Sequence, residues 1–323
     1  MLLLLLRRRL NMDDVILSIY VPTYNHEKYI ARALDSILMQ KTDYAYEVLV
    51  GEDASTDNTR AILKEYEKKY PGRFQMYYRE KNMHKQKVRN AGDLIRRCSG
   101  KYIIALEGDD FWTDENKIDE EIRFLETHPD YIAVAHNCVV VGDNSKPNGE
   151  EYPECKDEEY TINHYVSEIM PGQLTTVMKR NYRRDNVFDT SLIDKGLIPG
   201  DRVQYFTFLC NGKVHCIQKK MSAYRHITNG GDSYSAGVKY SYKNAENMIR
   251  EAILYAEKKS NKKNATYMEF SYLKNIRAGV KSGQINKKRA IKDFGNLKHK
   301  FTAVWLYVRF WINCHIRHKR IWL

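Results

Sequence analysis

The sequence predicts an α/β protein: a mostly parallel sheet flanked by helices, followed by a helical C-terminal extension. Two observations carry this. Short apolar runs rich in β-branched residues alternate with helix-period patterns from Val15 to Val141, an alternation that sets strands side by side with helices over both faces. From Lys239 onward the pattern turns helical and Lys-rich.

VILSIYV (Val15–Val21) reads as the first strand and PTYN as the loop after it. A helix from His26 to Gln40 then places Ile30, Ala33, Leu34, Ile37 and Leu38 on one stripe, with Asn25 as its N-cap. The unit recurs: strand Tyr46–Gly51, loop EDASTDNT, and helix Thr59–Lys69 with Ile62, Leu63 and Tyr66 inward. A short strand at Phe74–Tyr78, a helix at Lys87–Cys98, the strand KYIIALE, a helix at Asp114–Thr127 and the strand YIAVAHNCVVV follow. Gly142 to Tyr160 is polar and reads as a long exposed loop, and Thr161 to Arg225 mixes short strands and helices. Four segments result: an N-terminal extension (1–14), a ligand-binding half (15–141), a second half (142–238) and a helical, basic region (239–323).

The 323 residues carry 53 Lys and Arg against 41 acidic residues, a formal charge of +12 that draws phosphates, nucleotides or anionic lipid and does not choose among them. Six scattered cysteines with no CxxC pair fit free thiols in a reducing cytoplasm. MLLLLLRRRL has its leucines before its arginines, the reverse of a secretory signal, and falls far short of the ~20 apolar residues of a membrane span. No other stretch qualifies as a span. The tail FTAVWLYVRFWINCHIRHKRIWL interleaves aromatics with cations, as a helix lying on anionic lipid would; a final helix packed on the body is the alternative, and the positive charge favours membrane contact.

Open sheets of this kind bind ligands beyond the carboxyl ends of their strands, so chemistry is sought in three loops: Pro22–Asn25, Glu52–Asp57 and Glu107–Asp110. The third loop is the most informative. Three carboxylates in four residues repel one another unless a cation compensates, and Mg²⁺ or Mn²⁺ held by one or two of them would complete its shell with water and substrate phosphates. The alternative is that Asp109 and Asp110 cap the helix near Asp114. In the second loop Ser55 and Asp57 resemble N-caps, whereas Glu52 and Asp53 ahead of them suit a base or ribose contact. Asp201, after Pro199 and Gly200, is again a cap candidate, and YRHITNGGDS has the paired glycines of a loop over phosphate.

The ordered series VPTYN, VLVGEDASTDNT, VRNAG and GKYIIALEGDD resembles the inverting glycosyltransferase family 2, of bacterial surface-polysaccharide type, whose nucleotide-sugar domain is the GT-A fold. The likeness covers about Leu17 to Val141 and continues more weakly to about Ser235. It implies a hexosyltransferase that moves a sugar from a nucleotide diphosphate sugar, a UDP-sugar, to a glycan or lipid-linked acceptor. It places Pro22, Thr23, Tyr24 and Glu27 around the nucleotide, Asp53 at the base, Arg89 near the pyrophosphate and Asp109 at ribose or metal. Asp110 matches the metal ligand, Arg225 and His226 a contact to diphosphate or metal, and Asp201 the base that deprotonates the acceptor. Glu107 stands where the family more often has aspartate, and the family often spaces the histidine differently from His226. The implied location is the cytoplasm, peripheral at the inner face of the cell membrane. Two other readings, a basic nucleic-acid-binding protein and a nucleotidyltransferase, leave features unexplained. The first ignores the acidic loops, and the second requires a glycine-rich phosphate loop that PTYNHEKY is not.

Overall fold

The computed structural model describes residues 15–83, 89–227 and 240–315. The N-terminal extension, the start of the third helix with Val88, the paired glycines Gly230 and Gly231 and the end of the basic tail lie outside the described residues. The chain forms two compact units. The first runs to Tyr152 and takes in Gly172–Val187 and Ile217–His226; the second comprises Pro153–Pro171, Phe188–Cys216 and the chain from Ile227. The units interleave in sequence because two late strands return to the sheet begun by the first half.

That sheet has eight strands: β1 (Leu17–Thr23), β2 (Tyr46–Glu52), β3 (Gln75–Tyr78), β4 (Tyr102–Ala105), β5 (Phe111–Trp112), β6 (Tyr131–Val141), β7 (Met178–Arg180) and β8 (Lys213–Arg225), in the order β3-β2-β1-β4-β7-β6-β8-β5. The first four strands in that order are mutually parallel, as the alternating pattern requires. Beyond β4 the sheet changes character: β7 pairs antiparallel with β4 and β6, and β5 pairs antiparallel with β8. Strands β1, β2 and β4 are buried along nearly their whole length, which is why they read as continuous apolar runs.

Helix α1 (Ile30–Leu38) buries Ile30, Ala33, Leu34 and Ile37, four members of the predicted stripe. It begins four residues later than His26, and Asn25 is not its cap: Asn25 has a left-handed backbone (φ 54°), and its side chain accepts from the Thr56 N–H at 2.9 Å. Helix α2 (Thr59–Lys69) has the predicted bounds. Helix α3 spans Asn90–Arg97, and α4 spans Lys117–Thr127. The three residues by which α4 falls short of Asp114 form a turn, in which Asp114 Oδ1 accepts from the Asn116 N–H at 2.8 Å and the Asp114 carbonyl accepts from Gln40 at 2.8 Å. The apolar side chains of β1, β2, β4, α1, α2 and α4 form one core; each fully buried Leu or Ile contributes about 1.5–3 kcal/mol. Helix α6 (Tyr182–Asp185) follows β7.

In the second unit, α5 (Ile162–Val166) and α7 (Gly200–Asn211) accompany four helices: α8 (Tyr242–Lys258), α9 (Lys262–Lys281), α10 (Lys287–Gly295) and α11 (Lys300–His315). Side-chain caps start three of them. Ser241, Asn261 and Asn286 each accept from the backbone N–H three residues on, which satisfies donors a helix start leaves unpaired.

Lys179 on β7 is fully buried, and among the described residues its ammonium donates only a long 3.3 Å hydrogen bond to the Tyr20 hydroxyl. Burial pulls its pKa down to about 8. The folded value lies below the unfolded one, so the cost of burying the charge is complete below pH ~8 and is relieved as pH rises toward the unfolded value. Lys179→Met should therefore gain most over the wild type near pH 7, by about 1–3 kcal/mol, and the gap should narrow toward pH 10 in urea denaturation. A gap independent of pH would mean that the ammonium is not the costly group.

Candidate functional site

Strands β2, β1 and β4 run in register, with Val21 opposite Val50 and Tyr20 opposite Ala105, so the loops after them leave from one edge of the sheet. Here the three loops converge, within the first unit. The first two are stitched together. Asn25 N–H donates to Ser55 Oγ (3.0 Å), His26 N–H to Thr59 Oγ1 (2.8 Å), and Glu27 N–H to Asp57 Oδ2 (3.0 Å). In return Glu27 Oε2 accepts from the backbone and side-chain nitrogens of Asn58, both at 2.9 Å. Asp57 Oδ1 takes the Thr59 N–H, while the N-cap position of α2 belongs to Asn58. Ser55 and Asp57 therefore bridge loops instead of occupying the cap position.

Behind this layer Glu52 is fully buried and accepts from Ser55 N–H and Arg60 Nε at 2.5 Å each. Asp53 is buried as well: its N–H donates to the Thr23 carbonyl (3.0 Å), and its Oδ1 accepts from Met83 N–H (2.7 Å). Pro22 is half-buried and its carbonyl accepts from Gly108 N–H at 3.1 Å, which ties the first loop to the third. Thr23 is buried, Tyr24 half-buried and Arg89 exposed. The Asn90 side chain donates to the Gly51 carbonyl at 2.7 Å and so fastens the start of α3 to the end of β2.

In the third loop one ligand oxygen from each of Glu107, Asp109 and Asp110 lies within 4.8 Å of the others, the one such group among the described residues. Asp110 is buried. Its Oδ1 accepts from the backbone N–H of Arg225 at 2.7 Å, while Oδ2 has no hydrogen-bond partner among the described residues. Burial, with the charges of Asp109 and Glu107 beside it, pushes this carboxyl well above the usual carboxylate range. It does not cap α4, whose N-cap is Asn116. A buried carboxylate oxygen with nothing to pair with, among hard oxygen donors, fits a divalent Mg²⁺ or Mn²⁺ ion.

Arg225 organises the surroundings. Its Nε donates to the Asp109 carbonyl (2.9 Å), Nη1 to the carbonyls of Gly142 (2.5 Å) and Asp143 (3.1 Å), and Nη2 to Ser145 Oγ (2.7 Å). The guanidinium also lies 4.0 Å from the centroid of the Tyr29 ring, whose hydroxyl donates to Asp143. His226 takes a different position from the one expected of a metal ligand. Its Nδ1 pairs with Glu150 Oε2 at 2.5 Å, and it is not part of the acidic group. Asp201 stands in the second unit, in the first turn of α7, half-buried, with Oδ1 accepting from Arg202 N–H at 2.8 Å; Pro199 holds the cap position.

The profile of "Glycosyl transferase family 2" matches residues 18–195, more than half of the chain. The chain belongs to glycosyl transferase family 2. The matched stretch contains all three loops. Among curated relatives, "Uncharacterized protein Rv1520" of Mycobacterium tuberculosis is 28% identical over 214 residues, 66% of this chain and 60% of its own length. The chain thus spans about three fifths of the relatives it matches over the longest stretch. "UDP-Glc:alpha-D-GlcNAc-diphosphoundecaprenol beta-1,3-glucosyltransferase WfgD" of Escherichia coli is 33% identical over 114 residues, 35% of this chain and 42% of that protein. Among solved structures, S. aureus TarS 1-349 in complex with UDP-GlcNAc superposes with a TM-score of 0.61 over 90% of this chain and 82% of its own, at 16% identity, a likeness of fold. The α/β fold with helical C-terminal region is therefore GT-A-like.

Three residues of this family 2 site were not singled out from sequence. His26 sits 3.2 Å from Thr23 Oγ1 through Nδ1 and 4.0 Å from Asp109 through Nε2, joining the first loop to the third. Tyr29 and Asp143 meet although 114 positions separate them. The histidine directly after PTYN was a usable signal; the tyrosine–aspartate pair left none.

The geometry makes a test of Arg225. Lysine keeps the charge but cannot reproduce a fork that bonds four partners, so Arg225→Lys should lower stability by about 1–3 kcal/mol in urea denaturation without any ligand. A solvated arginine awaiting a phosphate would change stability by less than ~0.5 kcal/mol.

Proposed function

We propose that this family 2 protein is a metal-dependent, inverting glycosyltransferase that moves a hexosyl group from a UDP-sugar to a glycan or lipid-linked acceptor of the cell envelope. The reading rests most on Asp110, a buried carboxylate with an unpaired oxygen beside two further carboxylates at the end of a parallel strand. Asp110 and Asp109, with Glu107 next to them, would hold Mg²⁺ or Mn²⁺. Bound there, the ion would neutralise charge on a diphosphate leaving group. The names of two similar proteins support the donor and acceptor classes: one carries UDP-GlcNAc, the other is named for a diphosphoundecaprenol acceptor.

Each remaining residue has a task in this reading. The stitched first and second loops hold Pro22, Thr23, Tyr24 and Asp53 as the wall that meets the nucleoside; Glu27 acts on it indirectly, through Asn58. Arg89, exposed at the head of α3, supplies a cation for the pyrophosphate. Arg225 has its guanidinium on protein acceptors and so supports the diphosphate site by fixing Asp109 and Asp110 in place. His226, paired with Glu150, steadies the same strand end.

Asp201 is the general base. An acceptor hydroxyl has a pKa far above neutrality, so a carboxylate must take its proton as the new bond forms. The hydroxyl attacks the anomeric carbon from the side opposite the nucleotide, the bond to the diphosphate oxygen breaks, and configuration inverts in one step. No protein nucleophile is needed. The protein acts in the cytoplasm at the inner face of the membrane, where nucleotide sugars and lipid-linked acceptors meet.

Incubation with UDP-sugars and a lipid-linked acceptor, followed by NMR of the product, tests the reading. The product should have the opposite anomeric configuration to the donor. Asp201→Asn should keep donor affinity and lose ~10² to 10⁴ in rate, whereas Asp110→Asn should lose donor affinity as well. A retained configuration, or a near-normal rate in Asp201→Asn, would remove the carboxylate from this role.

A further inference from the structure

Helix α11 is apolar on two faces. One is covered: Ala303 and Leu306 are buried, the Phe310 ring lies 5.6 Å from that of Phe270 on α9, and the Tyr307 hydroxyl accepts from Arg277 Nη1 at 2.6 Å. The other carries Phe301, Val304, Trp305, Val308 and Trp311, each between 39% and 86% exposed. Their spacing of three and four places them on one stripe. Such a run of large apolar side chains on an outer surface marks a docking face.

The charge of the sequence to either side of the stripe says what covers it. From Lys287 to Leu323 the chain has ten Lys and Arg and a single acid, Asp293, a balance of +9 out of the whole protein's +12. Asp293 is buried and paired with Arg289. Lys287, Lys288, Lys292 and Arg309 are exposed, and the Arg309 guanidinium lies over the Trp305 ring at 5.3 Å.

We propose that α11 lies in the plane of an anionic bilayer, with the Phe301–Trp311 stripe sunk to the boundary between headgroups and chains and the flanking cations on lipid phosphates. Tryptophan suits that depth, since its ring is apolar and its N–H reaches water. No helix among the described residues is long and apolar enough to span, so the contact is interfacial. A second copy fits worse, because it would press two segments of charge +9 together with no acid on either face. Nucleic acid fits worse too: Val304 and Val308 at the centre of the stripe offer it neither charge nor hydrogen bonds. The inference deepens the membrane reading above but stands on an independent readout, because vesicle binding needs neither donor nor acceptor.

The test is co-sedimentation of the full chain with mixed phosphatidylglycerol–phosphatidylcholine vesicles and with pure phosphatidylcholine. The wild type should bind the mixed vesicles, bind the neutral ones far less, and be released by salt. Phe301→Ser/Trp305→Ser/Val308→Ser changes three exposed positions, so its thermal melt should match the wild type while its affinity for the mixed vesicles falls by at least about tenfold. Failure of the wild type to bind, or equal binding by the triple variant, would overturn the proposal. So would a wild-type dimer in sedimentation equilibrium that the triple variant dissolves, because a second copy would then occupy the face.

Discussion

A carboxyl group buried without a matching charge is costly to a fold, because burial and like charges both oppose its ionisation, and at Asp110 this chain places one beside two others. What the protein itself offers Asp110 is one backbone N–H, that of Arg225, and the nearby guanidinium. The pairing of β5 with β8 delivers that donor: Phe111 stands opposite Ala223, so the antiparallel register carries Arg225 past the end of β5 to Asp109 and Asp110. Arg225 then spends its side chain on the carbonyls of Asp109, Gly142 and Asp143 and on Ser145, joining the acidic loop to the loop after β6. The half-satisfied carboxylate and the arginine held by four acceptors together define the site. One fixes the geometry, and the other leaves an oxygen for a cation.

The first two loops, to which the proposed function gives the nucleotide, are held differently. Asn25, Glu27, Ser55 and Asp57 exchange hydrogen bonds across the first two loops, so the loops after β1 and β2 are fastened to each other by the protein's own groups. Asn25 can bridge because its backbone adopts the left-handed region that asparagine tolerates better than most residues. A pocket wall built this way does not have to be ordered at the moment of binding, which spares part of the entropy cost of capturing a flexible ligand.

Much of the first unit was legible in the sequence, because buried parallel strands leave continuous apolar runs and the helices between them leave a 3.6-residue stripe. Helix α2 and strand β6 have their expected bounds, and the stripe of α1 was read correctly although its start was not. The late start of α1 has a tertiary cause: Asn25 resembles an N-cap locally, and the second loop claims its side chain. Strand β5 escaped notice because two residues carry no periodicity, yet it positions Arg225. The acidic loop was legible as a repulsion that calls for a cation. The work of Arg225, the Tyr29–Asp143 contact and the pairing of His226 with Glu150 depend on distant partners, which local pattern does not encode.

The account depends on Asp110 keeping an oxygen for a cation, and titration of the free protein with Mn²⁺ in the presence and absence of UDP, read as a change in melting temperature, addresses it most directly. The ion and the nucleotide share one site in this account, so each should raise the melting temperature more in the presence of the other, and a chelator should abolish the rise produced by the pair. Stabilisation by UDP that is identical with Mn²⁺ and with chelator would contradict it, since the nucleotide would then bind without the ion the three carboxylates are arranged to hold.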